Sequence, residues 1–273
     1  MSIVTISRGS YTQGRKVAER LGERLGYKVI SRESIINTSE EFNIPEIKLK
    51  KALHNAPSIL DKFYYGKEKY LAFIKANILA HLTQDNTIYH GLAGHVFSQR
   101  LDHELDIRIR ADFEDRVKHY IEYIKKEEGK KITEKEARSN IHKDDKERLK
   151  WSIHLTGIDP SDPNNYDLVY NSSKLNVDDI VDSISRFLSL PYLQTTPESQ
   201  HKIEQQFLAA RVKANIVDNF PTAEVTCRDE VAYIKIKANI EQEPSIRNHL
   251  ERIVFTIEGI KDVKVIVEPP FQF

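Results

Sequence analysis

Ile3-Val4-Thr5-Ile6-Ser7-Arg8-Gly9-Ser10-Tyr11-Thr12-Gln13-Gly14-Arg15-Lys16 is the stretch on which the fold of this 273-residue chain turns. Ile3 to Ser7 reads as a short buried strand. Gly14 to Leu25 reads as a helix, because Val17, Leu21 and Leu25 recur at a spacing of four with charged residues between them. Gly26 stands where a helix stop belongs. Between strand and helix, Gly9 and Gly14 carry the spacing of a phosphate loop, G-x-x-x-x-G-K-[ST]. In such a loop backbone N–H groups wrap a phosphate and the helix N-terminus adds its positive end. Arg15 takes the place of the usual lysine, and a guanidinium grips phosphate through two parallel bonds. Lys16 takes the place of the usual hydroxyl, so a hydroxyl for Mg²⁺ has to come from Ser10 or Thr12. An ordinary strand–turn–helix with a charged first turn is the bland alternative. The position directly after the first strand favours the phosphate loop.

Outward from this stretch, strands alternate with helices. Strands are expected at Tyr27–Ile30, Thr87–His90, Leu105–Ile109 and Asp167–Tyr170. Helical segments are expected from Ser34 to Leu82, broken near Pro45 and Pro57. Phe113, Val117, Tyr120, Ile121 and Ile124 share one face of a long charged helix. Thr133 and Glu136 form a capping-box pattern that opens the next helix. Val177 to Leu188 closes the series. Strands separated by helices predict an α/β fold with a mostly parallel sheet covered on both faces. The proline-bearing segment 191–196 reads as a linker between a domain over residues 1–190 and one over 197–273. Thr196 before Pro197 is a good helix start. Beyond it the pattern is helix, strand, strand, helix, strand. Ala232, Ile234 and Ile236 alternate with polar residues in one of those strands, and Ile246, Leu250, Ile253, Val254 and Ile257 line one of those helices.

Composition narrows the classes of function. Lys+Arg and Asp+Glu both number 41, so no net field favours DNA, RNA or anionic lipid. The single cysteine, Cys227, excludes an internal disulfide and any multi-cysteine metal site. No run approaches the ~20 apolar residues of a membrane span. The first residues lack a signal-peptide pattern, and a cytoplasmic location is expected. His90, His95, His103 and His154 show no metal-ligand spacing, so no protein metal site is expected.

Several ordered motifs resemble one family. Val4-Thr5-Ile6-Ser7-Arg8, Gly14-Arg15 and Val29-Ile30-Ser31-Arg32-Glu33 look like the opening of the cytidylate-kinase-like P-loop kinases. His90-Gly91-Leu92-Ala93-Gly94-His95 resembles the family's glycine turn after the third strand. Ala137, Ile141, Asp145 and Arg148 resemble its lid helix, and Tyr166 to Asn171 its last strand. The resemblance spans roughly residues 1–190. It implies a five-stranded parallel sheet with a helical lid, and ATP-dependent phosphoryl transfer to a nucleoside monophosphate with Mg²⁺. The chain departs from the pattern at Tyr11, Thr12 and Gln13, where small residues are usual. It departs again at Leu92 and Ala93, where cytidylate kinases place an Arg-Asp pair that contacts the nucleotide.

From these readings the nucleotide is expected on Gly9, Ser10, Tyr11, Thr12, Gln13, Gly14, Arg15 and Lys16. Arg15, Lys16, Arg116, Asp145 and Arg148 are the candidate catalytic set, because phosphoryl transfer needs cations where charge moves onto leaving oxygens. Asp145, three residues before Arg148, is expected to orient that arginine or help place a metal. Arg32, at the end of strand two where α/β sheets bind ligands, and Gly91 and Gly94, from the glycine turn that resembles the family's, are the candidate acceptor-side residues. For Arg108, Arg110 and Arg138 a solvated, ion-paired face is the favoured reading. Tyr64, Tyr65, Tyr70 and Trp151 are read as packing rather than base-stacking residues. Residues 197–273 resemble a BON domain, an α-β-β-α-β module, through the element order and Gly259-Ile260-Lys261-Asp262-Val263. That resemblance implies phospholipid or protein interaction; because the module follows a kinase-like domain, a ligand-sensing or assembly role is expected, through a small ligand, a protein or a second copy. Two other readings stay open: a nucleotide-binding regulator that does not turn over, and a small-molecule kinase with a non-nucleotide acceptor.

Overall fold

The computed structural model describes residues 2–9, 12–31, 66–91, 94–98 and 101–269. Strands β1 (Ile3–Arg8), β2 (Lys28–Ser31), β3 (Thr87–Gly91), β4 (Glu104–Arg110) and β5 (Leu168–Asn171) form one sheet, ordered β2-β3-β1-β4-β5. Every pairing in it is parallel. The described helices are α1 (Gly14–Leu25), α2 (Gly66–Leu82), α3 (Gly94–Phe97), α4 (Phe113–Glu127), α5 (Glu134–Thr156), α6 (Val177–Leu188), α7 (Pro197–Ile216) and α8 (Glu243–Val254). A second sheet joins β6 (Glu224–Arg228), β7 (Val231–Lys237) and β8 (Asp262–Glu268), antiparallel between β6 and β7 and parallel between β7 and β8.

The chain separates into two compact units, residues 1–34 with 84–196, and residues 35–83 with 197–273. In the first, Val4 and Ile6 of β1 join Ile88, Leu105, Ile107 and Ile109 on one sheet face. They meet Val17, Ala18 and Leu21 of α1 and Ile180, Val181, Ile184 and Leu188 of α6. Each of the Val, Leu and Ile side chains, fully buried, contributes about 1.5–3 kcal/mol of transfer free energy. Alternation puts Thr5 and Ser7 on the opposite face of β1. Gly26 ends α1 in the left-handed conformation at φ 68°, which costs glycine nothing sterically. Thr133 and Glu136 form both arms of the expected capping box at the start of α5. Helices α4 and α5 pack through Val117, Tyr120, Ile124, Ala137 and Ile141. Of the expected linker, Pro191–Leu193 forms a short 3-10 turn, and Leu193 packs into the first core.

The second unit shows the expected α-β-β-α-β order. Ala232, Ile234 and Ile236 of β7 and Val263 and Val265 of β8 meet Val212 and Ile216 of α7 and Leu250 and Val254 of α8. Helix α2, which the sequence pattern counts with the first domain, groups here instead and packs along α7. Its composition explains the grouping. Ala72, Phe73, Ile74, Ala76, Ile78, Leu79 and Leu82 are all buried, so apolar residues ring the helix rather than striping one side. Gln200 of α7 donates from Nε2 to the Thr83 carbonyl at 3.0 Å, and Lys69 of α2 pairs with Asp218.

Candidate phosphate-binding and transfer site

The carboxyl ends of β1 and β4 are hydrogen-bonded neighbours, and the loops that follow both lie at this edge of the sheet. After β1 the chain turns through Gly9 and enters α1 at Gly14. The Gly9 N–H donates to the Ile109 carbonyl at 3.3 Å, tying the loop to β4. A Cβ on Gly14 would lie 2.8 Å from the Cβ of Arg8, so only glycine fits where the helix begins. The Thr12 hydroxyl donates to the Gly9 carbonyl and accepts from the Gly14 N–H, both at 3.3 Å. It therefore braces the turn from inside.

The first turn of α1 breaks a charge rule that the other long helices obey. Acidic residues stand in the first turn of α2, α4, α5, α6, α7 and α8, where they complement the helix dipole. In α1 the first turn has no acid and carries Arg15 and Lys16, and its N-cap residue, Gln13, makes no side-chain cap. Positive charge at that end is unfavourable by roughly 0.3–1 kcal/mol per residue. An anion in the loop reverses the sign. These residues fit the phosphates of a nucleotide. Among the described residues there is no cluster of three or more His, Cys, Asp or Glu to cage a metal. Mg²⁺ needs no such cage, since substrate phosphates and waters complete its shell.

The expected residues are distributed as follows. Arg15 and Lys16 lie exposed on α1, and Arg15 Nε donates to Glu19 at 2.8 Å. Arg116 and Asp145 are brought together: Arg116 Nη2 donates to Asp145 Oδ1 at 2.6 Å, joining α4 to α5. Arg148 meets a different acid from the one expected, donating from Nε to Asp144 Oδ2 at 2.9 Å. Gly91 ends β3, where a Cβ would press within 2.5 Å of the Tyr89 hydroxyl, so its smallness makes room for that ring. Gly94 opens α3. Ser10, Tyr11, Arg32, Tyr64, Tyr65, Leu92 and Ala93 lie outside the described residues, and the side chains of Tyr70 and Trp151 are likewise not described. Arg138 is ion-paired as expected, to Glu114 and Glu134, and Arg110 is exposed at the end of β4.

Two features at this edge escape the sequence reading. His119, three residues after Arg116 on α4, approaches Gln13 of the loop, with Nε2 to Nε2 at 2.9 Å. The i, i+3 spacing from Arg116 was the only available signal. The second feature is Arg108 on β4, half-buried beside Ser7 and Tyr166 rather than on a solvated helix face. The loop after β5 is also fastened here. Ser173 Oγ accepts from the Asp112 N–H at 2.8 Å, and Asn171 Nδ2 donates to the Asp112 carboxylate at 3.2 Å.

A parallel sheet in this strand order, with a glycine-spaced loop between its first strand and helix, is a P-loop-kinase-like fold. The sequence profile of the cytidylate kinase-like family matches residues 3–174, and the chain belongs to that family. An uncharacterized protein from Eubacterium ventriosum shares the fold, with a TM-score of 0.53 and 18% identity over 68% of this chain and 97% of its own. Shikimate kinase from Bacteroides thetaiotaomicron aligns at TM-score 0.44 and 9% identity over 69% of this chain and 99% of its own. Dephospho-CoA kinase from Campylobacter jejuni aligns at 0.31 and 14%, over 69% and 97%. Likenesses as low as these last two carry no argument about activity. No curated protein sequence matches the chain. The family match ends before the C-terminal unit, so it lends no support to the BON resemblance. No described helix is long and apolar enough to cross a membrane.

Proposed function

We propose that this protein transfers a phosphoryl group from ATP to a nucleoside monophosphate or a related small acceptor. The acid-free, doubly basic first turn of α1 behind the glycine loop carries this reading. The loop amides from Gly9 to Gly14 would hold the donor phosphates, with Arg15 and Lys16 adding charge at the helix end. Bound ATP would supply the phosphoryl group, and Mg²⁺ the neutralisation of its oxygens. Arg116, fixed by Asp145, and Arg148, fixed by Asp144, are held on α4 and α5 as pre-oriented cations. Such pre-orientation stabilises charge developing in the transition state without reorganisation at the moment of reaction. Arg32, Gly91 and Gly94 are assigned to the acceptor side. The C-terminal unit is assigned a ligand- or partner-sensing role in line with its BON resemblance, and the protein a place in the cytoplasm.

One observation favours a second reading, nucleotide binding without turnover. The Thr12 hydroxyl already holds the Gly14 N–H that a phosphate would use, and Arg15 is turned to Glu19. A thermal-shift panel of ATP and the common nucleoside monophosphates, with and without Mg²⁺, separates the readings when followed by ATP turnover on each hit. Transfer to any monophosphate supports the kinase. A shift with ATP but no turnover supports the regulator, and no shift with ATP removes both.

A further inference from the structure

Arg108 is a cation in search of an anion. It sits on β4 in register with Ser7 of β1, so the two side chains share one face of the sheet. That face is opposite to the one packed on α1, because Ile107 and Ile109 lie in the α1 core and Arg108 alternates with them. Ser7 is two residues before Gly9, which puts Arg108 roughly 7 Å along the strand from the loop. The guanidinium reaches only neutral groups. Nη1 lies 3.5 Å from Ser7 Oγ and 3.5 Å from the Tyr166 hydroxyl, at the far limit of a hydrogen bond. It also lies 5.6 Å from the centre of the Tyr166 ring.

Arginines elsewhere in the described structure show the contrast. Arg15, Arg20, Arg24, Arg116, Arg138, Arg148 and Arg247 each have a carboxylate partner, while Arg110, Arg186, Arg228 and Arg252 are exposed and Arg211 donates to the Glu258 carbonyl at 3.4 Å. Among the described residues Arg108 forms no ion pair. The nearby acids are committed. Asp106, two residues earlier on the same face, accepts from the Thr5 hydroxyl. Asp159 feels the Arg108 charge, but its Oδ1 accepts from the Ser161 N–H at 2.7 Å and the Ser161 hydroxyl at 2.6 Å. Tyr166 and Ser7 are themselves fixed: the Tyr166 hydroxyl lies 3.0 Å from Ser7 Oγ and 2.9 Å from the Pro160 carbonyl. A half-buried guanidinium braced by an aromatic ring and without an ion pair among the described residues keeps donors for an anion.

We propose that Arg108 binds the acidic group of the second substrate, approaching from the sheet face opposite α1, and that this group is a phosphate monoester. The proposal rests on the phosphotransferase reading above and names a residue that fixes its acceptor class. Tyr166 and Ser7 act as positioning residues for the guanidinium.

The test compares the full-length wild type with Arg108→Met and Arg108→Lys. Binding of each common nucleoside 5′-monophosphate, of its parent nucleoside and of ATP is measured by calorimetry, alongside inorganic phosphate and a dicarboxylate as separate arms. The expected result is at least tenfold weaker monophosphate binding in Arg108→Met, partial recovery in Arg108→Lys, and ATP affinity within about twofold of wild type, a charged hydrogen bond being worth ~1.5–3 kcal/mol. Unchanged monophosphate affinity, or an equal loss for monophosphate and ATP, overturns it. A dicarboxylate that binds through Arg108 while monophosphates do not overturns the phosphate assignment. If ATP itself fails to bind the wild type, the phosphotransferase reading falls, and monophosphate and inorganic phosphate binding still reports on Arg108. Thermal melting of Arg108→Met within a few degrees of wild type guards against a folding defect. Should that variant unfold, Tyr166→Phe, which loosens the guanidinium while leaving its charge, must weaken monophosphate more than ATP or the proposal fails.

Discussion

Separating Gln13 from His119 tests whether helix α4 holds the phosphate loop in place. Gln13 is the residue just before α1, and its side chain makes no cap on that helix. It reaches α4 instead, where its amide meets the imidazole at 2.9 Å. The amide can donate to His119 Nε2 or turn to accept from it, so the link survives either tautomer. A hydrogen bond between half-buried side chains contributes about 0.5–1.5 kcal/mol net. If the link orders the loop for ATP, its loss weakens ATP by roughly two- to twelvefold. Gln13→Ala, His119→Ala and the double variant form a thermodynamic cycle, read by ATP dissociation constants on full-length protein. The expected outcome is strong non-additivity: either single change costs about as much as both together. His119→Gln, whose amide reaches about as far as Nε2, is expected to recover part of the loss. Effects that add within ~0.3–0.5 kcal/mol would refute the coupling, as would equal weakening of ATP and of a monophosphate acceptor.

Three further outcomes follow from particular contacts. Gly14→Ala drives a Cβ to 2.8 Å from the Arg8 Cβ, and an overpacked contact of this kind costs about 1–3 kcal/mol; a lower melting temperature with loss of ATP binding is expected, and unchanged ATP affinity would detach the loop from the site. Glu104 is buried next to Asp106 and Asp167, and burial first, then those charges, hold its carboxyl well above the usual range; the folded protein keeps this proton longer than the unfolded chain, so stability is lost as pH rises from about 4.5 through the raised value, and Glu104→Gln should flatten that decline in melting curves and raise stability at pH 7. Lys213 donates to the carbonyls of Phe220, Pro221 and Ala223, yet burial lowers its pKa to about 8; the unfolded chain then binds more protons above that value, so stability should rise between pH 8 and 9, before the Cys227 thiol, raised to about 11 by burial, begins the opposite trend. Lys213→Met should reduce the rise, to which Lys75, its pKa also lowered by burial, contributes, while lowering stability at pH 7, and a variant that keeps the full rise would assign it to another group.

Most of the first unit was legible because its signals are local. Val17 and Leu21 fall every four residues, Gly26 stops α1, and Thr133 with Glu136 starts α5, each within one turn of the groups they serve. Long-range choices left weaker traces. Helix α2 is apolar all round, which says that it is buried but not against what, and α7 lies well over a hundred positions later in the sequence. Asp145 and Asp144 are adjacent in sequence but about 100° apart around α5. Only packing decides that Asp145 turns to Arg116 while Asp144 takes Arg148 at i+4. Arg108 was misread because a single arginine on a strand has its partners on other strands.

The polarity of the sheet argues for where the chemistry lies. Parallel strands covered on both faces are normally apolar on both. One face here obeys that rule, through Val4, Ile6, Ile88, Leu105, Ile107 and Ile109. The other carries Thr5 against Asp106, Ser98 against Glu104 at 2.6 Å, and Ser7 against Tyr166 and Arg108. Burying these groups costs free energy unless each is satisfied, and the lower two pairs satisfy each other. Toward the loop the balance changes, because Arg108 has hydroxyls at 3.5 Å and forms no ion pair among the described residues. Departures from local rules that a fold tolerates without internal compensation gather where a ligand supplies the missing partner. At this edge stand the acid-free basic turn of α1, whose Arg15 is ion-paired to Glu19, and Arg108, which forms no ion pair among the described residues, and they flank the end of the same strand, β1. Two cationic positions on opposite faces of one strand end are what the proposed transfer between two phosphorylated molecules would use; a binding protein for a single nucleotide would need only the first.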